Sequence, residues 1–107
     1  MANNFKNVKL DLSTNSVTTL YTAPSATTAV FKSLLVSNVQ SSGSTITVTI
    51  TDSAIAVFSV YNVKSIGANT TEELLTEALV VMEGEILKVT AADADRLHVI
   101  GSFLEIT

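Results

Sequence analysis

Few side chains in this sequence could do acid–base chemistry, and they are dispersed. His98 is the single histidine of 107 residues, so a Ser-His-Asp arrangement would have to use it. It falls mid-strand on the face shared with Ile100, and no G-x-S-x-G elbow accompanies it, so a structural or surface histidine is the simpler reading. Asp93 and Asp95, with Asp52 or with Glu83 and Glu85, could gather oxygen ligands for calcium. Their spacing lacks the glycine and terminal glutamate of an EF-hand loop, and carboxylates that bond to turn amides account for them better. Paired carboxylates for glycoside hydrolysis need an aromatic-lined cleft, yet there is no Trp and only two Tyr, Tyr21 and Tyr61. The same scarcity argues against a module that stacks sugars on exposed rings. No glycine-rich phosphate loop is present, and without cysteine there is neither a thiolate zinc site nor a disulfide framework. Asn69-Thr70-Thr71 matches the N-glycosylation pattern, for which a turn with polar caps is the plainer explanation. The expectation is a chain with no catalytic residue, no cofactor and no metal.

Composition narrows the class further. Hydrophobic residues make up 47% and charged residues only 15%, which excludes a disordered chain. The length suits one domain over residues 1–107. Roughly a quarter of the residues are Ser or Thr, well above ordinary usage, so hydroxyls more than charges keep the surface soluble. A surface so weakly charged hints at partial cover by a partner. The net charge of −4 and six scattered basic residues argue against nucleic-acid binding, which needs clustered Lys and Arg. The first residues show no apolar h-region, and no apolar run is long enough to span a bilayer. The expectation is folding in a cytosol, away from membranes.

These residues must be positioned by strands. Residues 5–12 alternate, with Val8, Leu10 and Leu12 on one face and Lys9 and Asp11 on the other. Residues 17–23 resume as a strand that Pro24 ends. Residues 29–39 are apolar on both faces, with Val30, Leu34 and Val36 expected on one and Phe31, Leu35 and Val39 on the other. The loop 40–44, QSSGS, then predicts a hairpin into 45–52, where Ile46, Val48 and Ile50 alternate with threonines. Residues 57–63 form a further strand, with Val57, Tyr61 and Val63 on one face and Phe58 and Val60 on the other. Residues 71–79 read as a strand or irregular element turning near Thr76–Glu77. A tight acidic turn at Glu83-Gly84-Glu85 is expected to join 79–82 to 86–90, and the polar turn 91–96 leads into a last strand at 97–106. About eight short strands punctuated by turns predict an all-β chain, a single antiparallel β-sandwich of jelly-roll or immunoglobulin-like type.

With these stretches in place the chain resembles the small β-sandwich virion proteins of tailed bacteriophages. The resemblance lies in LYTAP (20–24), KSLLVSNV (32–39), TITVTITD (45–52), LVVMEGEILKVT (79–90) and FLEIT (103–107), and it departs from the commonest pattern at 73–78. It implies a non-enzymatic structural protein, foremost a capsid decoration or cement protein that binds and stabilises the head shell. The alternative is a tail- or head-fibre-associated protein recognising a host glycan or protein. The implied partners are the major capsid protein, other virion proteins and further copies of the chain. The implied location is the virion, assembled in the host bacterial cytoplasm. Residue pattern adds one surface: the strand 97–106 is apolar on both sides, so one face should meet core and the other a subunit contact. Its candidates are Leu97, Val99, Phe103, Leu104 and Ile106.

Overall fold

Alternation of apolar and hydroxyl-bearing residues produces strands, and turn residues separate them. The computed structural model describes residues 3–107. Among these, nine strands occur: β1 (Asn3–Asp11), β2 (Thr18–Thr22), β3 (Thr28–Asn38), β4 (Ser44–Thr51), β5 (Val57–Ile66), β6 (Thr71–Glu73), β7 (Leu79–Val81), β8 (Ile86–Ala91) and β9 (Leu97–Ile106). They form two antiparallel sheets, ordered β1-β9-β3-β6 with β7 also on β3, and β2-β8-β4-β5. β6 and β7 pair with different stretches of β3, so nine strands fill eight positions. The break between them carries bends at Thr76 and Glu77, where the sequence predicts the turn.

Two sequence expectations about pairing fail. The stretches 29–39 and 45–52 do not form a hairpin, because β3 and β4 lie in different sheets. β3 has both sides occupied, by β9 and by β6 and β7, while β4 lies between β8 and β5. The segments around 83–85 and 91–96 likewise cross between sheets instead of folding a strand back on its neighbour. Among the described residues, only β4 and β5 are both consecutive and paired. Alternation reports which side chains face a core, whereas strand neighbours depend on where the chain goes after each turn.

A bulge corrects the faces of β3. The ladder pairs Phe31 with Phe103 and then Ser33 with Ser102, so Lys32 is an extra residue. It shifts the phase by one, and Phe31 points inward together with Leu34 and Val36 instead of opposite them. The bulge also leaves backbone donors to satisfy. Glu73 does so: its carboxylate accepts the Leu34 N–H at 2.7 Å, the Leu75 N–H at 3.1 Å and the Ser33 hydroxyl. Burial pushes the Glu73 pKa up, but these three hydrogen bonds together outweigh it and hold the carboxyl below its usual range.

One hydrophobic cluster draws on both sheets, with Phe31, Leu34, Val36, Val99 and Phe103 from the first and Ile46, Val48, Leu87 and Val89 from the second. Phe31 stacks on Phe103 at 4.6 Å between ring centroids, and Tyr21 meets both rings at 5.4 and 4.7 Å. Gly101 makes this packing possible. A Cβ there would lie 2.8 Å from the Phe31 ring and 3.2 Å from Val8, so only glycine lets the ring lie against the β9 backbone.

Candidate contact surface

Inter-sheet packing at the termini is fastened by a polar clamp. Glu105, on β9, is 6% exposed. It accepts a hydrogen bond from the Tyr21 hydroxyl of β2 at 2.5 Å and pairs with Lys6 Nζ of β1 at 2.7 Å. The Lys6 hydrogen bond, then that of Tyr21, holds the Glu105 carboxyl below the usual carboxylate range against the opposing effect of burial. Burial, followed by the hydrogen bond to Glu105 and its charge, pushes the Tyr21 phenol up, so it remains a donor. The arrangement ties three strands of two sheets together through one hydrogen-bonded network.

The other titratable residues are separated. His98 Nε2 lies 3.5 Å from Asp11 Oδ1 on the exposed outer face of the first sheet, where Ser37, across the ladder, is its nearest registered neighbour on β3. Asp93 accepts from the Ser44 hydroxyl at 3.0 Å and pairs with Arg96. Asp52 caps its own loop through the N–H groups of Ala54 and Ala56, both at 2.9 Å. Glu83 accepts the Ala26 N–H and Glu85 the Met82 N–H. Of the carboxylates named as possible calcium ligands, those of Asp52, Asp93, Glu83 and Glu85 are thus engaged by groups of the protein itself. Asp93 and Asp95 precede β9, in the loop at one end of the sandwich, while Asp52, Glu83 and Glu85 sit in loops at the other.

The expected contact strand divides by face. Leu97, Val99 and Phe103 are 0%, 0% and 4% exposed. They point into this chain's own core and have no side-chain surface to offer a second copy. β9 is paired on both sides, by β1 and β3, so its alternation sorts strictly into inside and outside. Leu104 and Ile106 lie on the outer face with His98, Ile100 and Ser102, and are half-buried there by neighbouring strands.

That outer face carries an apolar row which sequence alone does not reveal. The ladders place Phe5 opposite Leu104, Leu104 opposite Val30, and Val30 opposite Val80. Four apolar side chains therefore cross the whole sheet on its solvent side. A shorter apolar step, Ile100 opposite Leu35, lies further along. Phe5 is 81% exposed at the row's end. It lines a shallow depression of about 410 Å³ together with Lys6, Asn7, Lys32, Ser102 and Phe103.

A second apolar patch lies on β5, the outer strand of the other sheet. Ile55, Val57, Phe58 and Val63 are 81%, 62%, 55% and 60% exposed. Ile55 and Val63 have φ of 67° and 53°, values that β-branched residues adopt only when the surroundings impose them. The register of β5 against β4 breaks on both sides of Tyr61, and such bulges blunt an edge against direct strand addition. The sequence does flag the run Val57-Phe58, but a regular strand would have buried one of the two. At the start of β5, the last strand of its sheet, both remain exposed.

No family model matches the sequence, and no curated protein does. Among solved structures, the fold matches the crystal structure of a pentameric capsid protein isolated from metagenomic phage sequences, with a TM-score of 0.50 and 20% identity. The match covers 94% of this chain and 60% of that one, so the chain spans less than two thirds of the protein it resembles. At that identity the likeness is one of fold: an all-β chain of two antiparallel sheets.

Proposed function

We propose that this chain is a non-enzymatic structural protein of a phage virion, a capsid decoration or cement protein that binds the head shell as a homo-oligomer. The observation that carries the reading is the fold likeness to a pentameric phage capsid protein over 94% of the chain. The strand order adds to it. With β6 and β7 counted as one interrupted position, β1-β9-β3-β6/β7 facing β2-β8-β4-β5 supports reading the sandwich as a jelly roll, an arrangement recurrent in viral capsid and lectin domains. The exposed apolar row and the β5 patch are surfaces a shell protein needs, since contacts between subunits bury apolar side chains at their centre. The engaged, dispersed carboxylates and the solvent-facing His98 favour a structural over a catalytic role.

Co-sedimentation tests the proposal. Purified protein should pellet with capsids lacking it, saturate at a fixed copy number, and raise the temperature at which the heads open. Protein that stays in the supernatant with heads, but binds tails or a host-surface glycan, would replace this reading with the fibre-associated one.

A further inference from the structure

The two exposed apolar patches lie on different lateral edges of the molecule. β1 ends the first sheet and faces β2, the corresponding edge of the second. On the opposite side, β5 is joined to the β6–β7 segment by the Tyr61 hydroxyl, which donates to the Leu74 carbonyl, and by the Lys64–Glu72 ion pair at 3.6 Å. Phe5 therefore belongs to one edge, and Ile55 and Phe58 to the other. Both patches sit toward the same end. The chain enters β1 just before Phe5, and Asn3 is paired with Ile106, which is paired with Thr28, while Thr51 and Val57, flanking Ile55, close the β4–β5 ladder at that same end.

Their charges are complementary. Lys32 lines the depression beside Phe5, and the register sets Lys9 opposite Ile100 on the same outer face, while Lys6 is already paired with Glu105 on the inner one. Around Ile55 the charge is negative: Asp52 begins the loop, and the turn carrying Glu83 and Glu85 lies against it, with a Cβ at Gly84 reaching to 3.5 Å of Ser53. Residues 52–58 include no Lys or Arg. A patch used twice across a two-fold axis would have to complement itself, whereas an apolar ring rimmed by lysines and an apolar tip rimmed by carboxylates complement each other.

We propose that copies of this chain join head-to-tail, with Ile55, Val57 and Phe58 of one copy packing on the Phe5 edge of the next and the carboxylates beside Ile55 facing Lys32 and Lys9. The inference rests on the reading of the chain as a homo-oligomeric virion protein and names the surfaces that make the oligomer. Such a contact leaves one unused edge of each kind at the ends of any open assembly, so it closes only as a ring. Irregular β5 makes the junction through side chains, not by extending a sheet. The imposed φ at Ile55, in a loop where glycine or asparagine would be unstrained, presents an apolar tip that the monomer does not use.

Phe5→Asp and Phe58→Asp test this, because each removes one edge and leaves the other. Both residues are more than half exposed, and unchanged melting curves would verify that the variants fold. Light scattering after size exclusion should give an oligomer for the unaltered chain and a monomer of 11.3 kDa for either variant alone. Each substitution should weaken self-association roughly 30-fold or more, as central aromatic contacts do. An equimolar mixture of the two variants should then give a species of twice the chain mass and nothing larger, since exactly one intact junction can form per pair. An oligomer from either variant alone, or a mixture that stays monomeric, overturns the head-to-tail contact. A monomeric unaltered chain that still co-sediments with capsids would overturn this inference while leaving the shell-binding role standing. Loss of that co-sedimentation in Phe5→Asp would assign the Phe5 edge to the shell instead of a second copy.

Discussion

Glu105→Gln isolates what the buried clamp contributes. Glutamine keeps the side chain's size and its ability to accept from Tyr21 and Lys6, so the change removes charge from the two hydrogen bonds and little else. A hydrogen bond to a charged group is worth about 1 kcal/mol more than a neutral one. The bond from Tyr21 should lose that in full, while the pair with Lys6, whose side chain is 53% exposed, should lose about half of it to solvent screening. The expected destabilisation is about 1.5 kcal/mol. With an unfolding entropy of about 2 cal/mol/K per residue, that corresponds to a Tm about 7 °C lower near neutral pH. The pH dependence gives the sharper test. Glu105 titrates below its ordinary 4.5 when folded, so its stabilisation is complete above the unfolded pKa and is lost as pH falls through the folded one. Calorimetric melts of both proteins from about pH 7 to about pH 3 should therefore show the Tm gap closing below about pH 4.5. A gap that stays constant over that range would refute an ionised Glu105, and a gap under about 1 °C at neutral pH would refute the clamp as a source of stability.

Other substitutions test the packing. Gly101→Ala forces a methyl to within 2.8 Å of the Phe31 ring and should cost about 1–3 kcal/mol in urea unfolding; an unchanged midpoint would mean the ring shifts freely. Thr51 is 5% exposed, and its hydroxyl lacks a hydrogen-bond partner among the described residues. Thr51→Val should therefore stabilise the chain by about 1 kcal/mol, and a lower Tm would show that the hydroxyl is satisfied in solution.

Strands came through in the sequence because their signal is local. Ile46, Val48 and Ile50 alternate with threonines, Gly84 adopts the positive φ of 80° that its acidic turn requires, and the break near Thr76 was visible as a loss of alternation. The buried ends of residue patterns were legible for the same reason: Leu97, Val99 and Phe103 share a face in sequence and in space. Those three fill this chain's own core, because apolarity on both faces does not say which face the chain covers itself.

Pairing is a different kind of information. The QSSGS loop looks like a hairpin turn but carries the chain from one sheet to the other, and nothing within residues 39–44 distinguishes the two outcomes. The bulge at Lys32 moves Phe31 to the inside because Glu73, forty residues away, satisfies the amide it frees. The apolar row Phe5–Leu104–Val30–Val80 takes one residue from each of four strand positions and so has no sequence period at all. Composition and alternation determined an all-β chain with little charge and no assembled chemistry, since those follow from side-chain size and polarity residue by residue. Only the tertiary structure decided which apolar residues remain outside, because that depends on register between strands far apart in the chain, and there the surfaces available to a second copy are made.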